Sequence, residues 1–68
     1  MNQEETLEVV DEKEASKKMK RGVQTLRNDR HLRRGCPYLK VGRSVRYLVS
    51  DINTYLLERR IDPEGSLN

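Results

Sequence analysis

Pro37-Tyr38-Leu39-Lys40-Val41-Gly42-Arg43-Ser44-Val45-Arg46-Tyr47 alternates apolar and basic residues on both sides of one glycine. Alternation of this kind marks half-buried strands, and a central glycine marks the turn between them, so the stretch predicts a β-hairpin. Two registers compete. A two-residue loop, Gly42-Arg43, sends Val41 and Val45 to opposite faces. A three-residue loop, Gly42 to Ser44, pairs Val41 with Val45 and Leu39 with Tyr47 and gathers all four on one apolar face. The second register is the expected one, because it leaves a consistent side to bury. It also sets Lys40 opposite Arg46 on the outer face, a like-charge pair that an anion lying across it would turn favourable.

Upstream, Gly35-Cys36-Pro37 ends a helical region, since proline disfavours helix at the residue before it. That region predicts two short helices. The first is expected from Asp11, where Asp11 and Glu14 fit a capping box and Val10 and Ala15 a hydrophobic staple, to about Lys20 or Arg21. Ala15 and Met19, four apart, share its buried stripe. Gly22 then breaks the pattern, as the turn or the N-cap of a second helix expected from Val23 to about Leu32. On that helix Val23, Leu26 and Arg30 fall on one side. Gln24, Arg27, Asn28 and His31 fall on the other, with Arg21 extending their face. Before the helices, Leu7, Val9 and Val10 predict a short extended segment against the core.

Downstream, Ser50 is the expected N-cap of a last helix running from Asp51 to about Arg60, with Ile52, Tyr55, Leu56 and Arg59 at core-facing spacing. Residues 1–8 and 62–68 read as flexible tails around one domain, residues 9–61. Helix, turn, helix, hairpin and helix make an α+β chain with the plan of a small winged helix-turn-helix.

The charges are segregated. The net charge is +3 over 68 residues. Residues 1–16 hold Glu4, Glu5, Glu8, Asp11, Glu12 and Glu14 against Lys13 alone. Between Lys17 and Arg46 the only acid is Asp29, set against eleven lysines and arginines. So basic a middle implies an anionic partner. The helical placement suits duplex DNA: Arg27 could pair with guanine, Gln24 or Asn28 with adenine, and a basic hairpin suits the adjoining phosphates. The rival is a protein-interaction module for a charge-complementary partner. It would want an exposed apolar anchor, and few apolar residues are expected outside the core. RNA is disfavoured by the shortage of aromatics for stacking.

Other classes lack their residues. One cysteine, Cys36, leaves no disulfide and, with no partner at ligand spacing, no zinc site. No catalytic constellation assembles around the lone His31. Neither an enzyme nor a cofactor, metal or small-molecule substrate is therefore expected. The N-terminal residues do not resemble a signal peptide and no apolar run suits a membrane, so the expected compartment is the cytoplasm. Cys36 reads as a packing residue, and Tyr38 and Tyr47 as core. Arg30, on the apolar side of its helix, reads as a structural arginine paired with Asp29, Asp51 or Glu14.

Thr25-Leu26-Arg27-Asn28-Asp29-Arg30, the hairpin stretch from Gly35 to Tyr47, and Ser50-Asp51-Ile52 together resemble the excisionase-like, AlpA-like helix-turn-helix proteins of the MerR superfamily, over about residues 9–61. The family pattern commonly has paired alanines and Leu-Gly where this chain has Ala15-Ser16 and Met19-Lys20, and Ser or Thr where it has Gly22. The resemblance implies a winged helix whose second helix enters the major groove and whose wing contacts neighbouring backbone. By position, Gln24, Thr25, Arg27 and Asn28 match the recognition helix, and Lys40, Arg43 and Arg46 the wing. It further implies an excisionase or a small transcriptional regulator of a phage or integrative element, working with an integrase or a second protomer.

Overall fold

The computed structural model of the chain describes residues 7–63. Its elements run β1 (Val9–Asp11), α1 (Glu12–Met19), α2 (Val23–His31), β2 (Leu39–Val41), β3 (Ser44–Leu48) and α3 (Val49–Glu58). The result is an α+β arrangement of three helices and one antiparallel sheet in the order β1-β3-β2. Of the expected tails, residues 1–6 and 64–68 lie outside the described residues. Glu8 is tied down, its carbonyl accepting from Val49 N at 2.9 Å.

The start of α1 follows from local chemistry. Asp11 has extended backbone and accepts from Glu14 N at 2.9 Å, so the Asp11 half of the capping box is present. Ala15 and Met19 are buried, as their spacing predicts. Gly22 is the N-cap of α2, in an extended conformation. The reversal between the helices belongs to Lys20, at φ +57°, with Arg21 N bonded to Ser16 O and Lys20 N to Lys17 O. That is a Schellman closure without glycine. The end of α2 repeats it: Arg33 has φ +59°, Arg34 N bonds Asp29 O, and Arg33 N bonds Arg30 O.

The hairpin register differs from expectation. Leu39 pairs with Arg46, Lys40 with Val45 and Val41 with Ser44, leaving the two-residue loop Gly42-Arg43. Turn chemistry outweighs apolar matching. The three-residue loop needs a left-handed residue at its third position, which here is Ser44. The two-residue turn puts its positive φ, +62°, on Gly42. Val41 accordingly stays 61 % exposed rather than joining the core. Lys40 and Arg46 do not oppose one another. They lie on opposite faces of the hairpin, since cross-strand partners share a face and Lys40 goes with Val45.

β3 finds its second partner in the segment before α1. Val10 pairs with Tyr47 and Asp11 with Arg46, so the expected extended segment is a third strand. Ala15, Met19, Leu26, Cys36, Tyr47, Ile52 and Tyr55 form the core, with Val10 and Val45 packed against it. Burial pushes the Cys36 thiol up to about 11, in keeping with a packing role.

Three further expectations need correction. α3 begins at Val49 with Leu48 as N-cap, so Ser50 is inside the helix rather than its cap. The helix follows directly on β3, and the Val49–Glu8 bond satisfies a first-turn N–H that a cap would otherwise serve. Leu56 and Arg59 are exposed, because a ten-residue helix resting on a small core buries only the Ile52 and Tyr55 stripe. Tyr38 is 42 % exposed, tilted against Tyr47 at 6.2 Å between ring centroids rather than enclosed. Large apolar side chains outside the core are also more numerous than expected: Leu32, Val41, Leu57 and Ile61 are each more than half exposed.

Candidate nucleic-acid interface

α2 packs through Leu26 and half-buried Val23, which turns Gln24, Arg27, Asn28 and His31 outward. Thr25 is half-buried on the margin of this face. Gln24 Nε2 donates to Asn28 Oδ1 at 3.1 Å, one turn apart, so the two amides brace each other on the surface.

Arg27 is not free in solvent. Its Nη2 lies 2.6 Å from Glu12 Oε2 and its Nε 3.3 Å from Oε1, a forked pairing across α1 and α2. Glu12 also takes Arg30 Nη2 at 3.1 Å, and Arg30 Nη1 donates to the Tyr47 hydroxyl at 2.8 Å. The Arg27 hydrogen bond, helped by Arg30, holds the Glu12 carboxyl below its ordinary value although partial burial works the other way. Burial works against the charged form of Arg30, but its bonds to Tyr47 and Glu12 outweigh that and raise its pKa. Burial raises the Tyr47 phenol more than Arg30 lowers it, so the hydroxyl stays protonated.

Arg30 is therefore structural, as its place on the helix implies, but its acid is Glu12 rather than Asp29, Asp51 or Glu14. Glu12 was the acid to suspect. It stands in the first turn of α1, one residue after the N-cap. Its reach to α2 depends on how the two helices cross, which spacing within either helix does not reveal.

The hairpin completes the site. Arg27, Arg30, Arg43, Arg46, Asp11 and Glu12 border an open groove of about 440 Å³ between α2, the start of α1 and β3. Arg46 is steadied by donating to Val45 O at 2.8 Å and is cross-strand to Asp11. Thus Arg27, Arg43 and Arg46, from the expected helix and wing sets, meet in one place. Lys40 does not line it. Arg21 departs as well: instead of extending the Gln24 face it turns to Asp29, with Nη2 3.6 Å from Oδ2.

Among the described residues no group of His, Cys, Asp and Glu is arranged to hold a metal ion, and no helix is long and apolar enough to cross a membrane. Comparison of the chain with protein-family models, curated proteins and solved structures finds no match.

Proposed function

We propose that this chain binds double-stranded DNA as a small winged helix-turn-helix, with α2 in the major groove and the β2–β3 hairpin on the adjoining backbone. The observation that carries this reading is the shared groove, in which Arg27 of α2 meets Arg43 and Arg46 of the hairpin. A helix that presents Gln24, Arg27 and Asn28 offers the side chains best matched to base edges. Arginines beside it match phosphate geometry, and Arg43 and Arg46 across the groove draw an anionic backbone. Glu12 is the counter-charge that occupies Arg27 in the absence of DNA.

Within this reading the protein is not an enzyme. Its role is that of an excisionase or small transcriptional regulator of a phage or integrative element, acting in the cytoplasm beside an integrase or a second protomer. A module this small buries roughly 600–1,000 Å² on DNA, which favours cooperative binding at repeated sites. Gel shifts comparing a mixed-sequence duplex with DNA flanking the chain's own gene test the proposal. Arg27→Ala with Arg43→Ala should weaken binding to both duplexes at least tenfold. Binding indifferent to that double change would sink the mechanism.

A second reading, a protein-interaction module for a charge-complementary partner, draws support from Leu57 and Ile61, which are 66 % and 85 % exposed near the end of α3. Such side chains supply the apolar anchor that a protein interface wants. A partner bound through Leu57 would be released by Leu57→Ser with duplex binding unchanged.

A further inference from the structure

Arginines gather at a second place, on the other flank of α2. Arg21, Arg34 and Arg59 border an open cavity of about 260 Å³ together with Asp29, Gly35 and Tyr55. The three come from the turn before α2, the segment after it and the C-terminal end of α3.

Each is held there for a physical reason. Asp29 is buried on α2, and Arg34 Nε donates to its Oδ1 at 3.2 Å while Arg21 Nη2 lies 3.6 Å from Oδ2. Gly35 lets the chain close over that carboxylate. Its φ is +90°, and a Cβ there would stand 2.9 Å from both Cβ and Oδ2 of Asp29. The Arg59 guanidinium lies 3.6 Å above the Tyr55 ring, and its Nη1 donates to Tyr55 O at 3.0 Å. Asp29 is satisfied by Arg34 and Arg21, so Arg59 adds charge that the buried carboxylate does not require. Glu58 comes within 3.7 Å of Arg59, but both side chains are more than half exposed and such a pair is weak. The side chains of Arg21, Arg34 and Arg59 remain 42 %, 68 % and 52 % exposed, open to an incoming anion.

Position on α2 says which anion. At about 100° per residue, Arg27 leads into the first groove and Asp29 lies about 200° further round, with Asn28, Gln24 and His31 in the arc between. The exposed face of the helix is therefore flanked by an arginine groove on each side. A helix about 10–12 Å across that lies in a major groove about 12 Å wide has a phosphate backbone along each flank. We infer that Arg21, Arg34 and Arg59 form a second phosphodiester site, which takes the strand opposite the one held by the hairpin. The inference rests on the DNA-binding reading above and assigns to the interface Arg34 and Arg59, neither of which is among the expected DNA-contacting residues.

The test is a salt titration of the full chain on a mixed-sequence duplex, followed by phosphate-ethylation interference. Each phosphate contact contributes a slope of about 0.9 in log affinity against log salt. Arg34→Ala with Arg59→Ala should remove nearly two such units, so the affinity lost between about 50 and 200 mM salt becomes roughly tenfold smaller. Ethylation interference should lose its signal on one strand only, and Arg43→Ala should lose signal on the other strand. Arg59→Ala alone leaves both partners of Asp29 in place and should remove about one unit in a folded protein. Arg34→Lys with Arg59→Lys keeps the charge and should keep the slope. An unchanged slope and ethylation pattern in the alanine variants, while Arg43→Ala alters both, overturns the second site and leaves the DNA reading standing. A wild-type chain that shows no salt-dependent duplex binding overturns both.

Discussion

The Arg27 guanidinium is engaged by the Glu12 carboxylate, Nη2 to Oε2 at 2.6 Å, so the arginine that we propose reads bases from α2 is already bound to an acid of α1. Under the proposed function, a phosphate or a guanine edge must compete with that carboxylate. Glu12→Gln removes the charge while keeping a similar shape. It should tighten binding to duplex DNA by about three- to tenfold at low salt, with the difference shrinking as salt screens it. Fluorescence anisotropy at two salt concentrations checks this. Equal or weaker binding by the variant would mean that Glu12 positions Arg27 for DNA rather than withholding it.

Glu12 also makes stability depend on pH. Its folded pKa is below the ordinary 4.5, so the native state favours its ionised form. That contribution is present in full above the unfolded value and is lost as pH falls through the folded one. Wild-type stability should therefore drop more than that of Glu12→Gln between about pH 6 and pH 3, and the two should converge at the acid end. Urea unfolding followed by circular dichroism at each pH measures the difference.

Arg30 joins the same network for a different purpose. Its side chain is 14 % exposed, and it is the partner of a Tyr47 hydroxyl on a residue that is 1 % exposed. Arg30→Met should cost about 1–3 kcal/mol, since it strands that hydroxyl. Tyr47→Phe in the Arg30→Met background should recover part of the loss, because both polar partners are then gone. A double-mutant cycle in urea reads the coupling. Neither change should flatten the salt dependence of DNA binding.

Lys20 and Arg33 hold the left-handed positions that end α1 and α2, where glycine carries no Cβ penalty. Lys20→Gly and Arg33→Gly should each stabilise the fold by roughly 0.5–1 kcal/mol, the left-handed penalty less the extra freedom of glycine when unfolded. Thermal unfolding measures the gain. If these cations also contact phosphate, each variant should bind duplex DNA more weakly while melting higher.

Much of this arrangement was legible in single residues. The Asp11 cap, the Ala15–Met19 stripe, the Gly22 start of α2 and the Ile52–Tyr55 face of α3 all follow from chemistry within one or two turns of chain. The hairpin register differs from expectation because a consistent apolar face alone selects the three-residue loop and leaves turn chemistry out. Gly42 at the first loop position carried the signal for the two-residue turn. The start of α3 was misplaced because Ser50 is a good cap in isolation, whereas Val49 is served from outside the helix by Glu8.

The sequence by itself determined the identity of the elements and the sign of the charge they carry, because capping, periodicity and turn strain act over a few residues. Only the tertiary structure decided which arginines share a site. Within the basic middle, Arg27 faces the hairpin, Arg21 and Arg34 face Asp29, and Arg30 is taken up by Tyr47 and Glu12. Those partners lie five to eighteen residues apart along the chain, and the longer spans come together only when α1 crosses α2 and β3 packs beneath them. Ion pairing over such spans depends on packing angles, and no local pattern in the sequence encodes an angle.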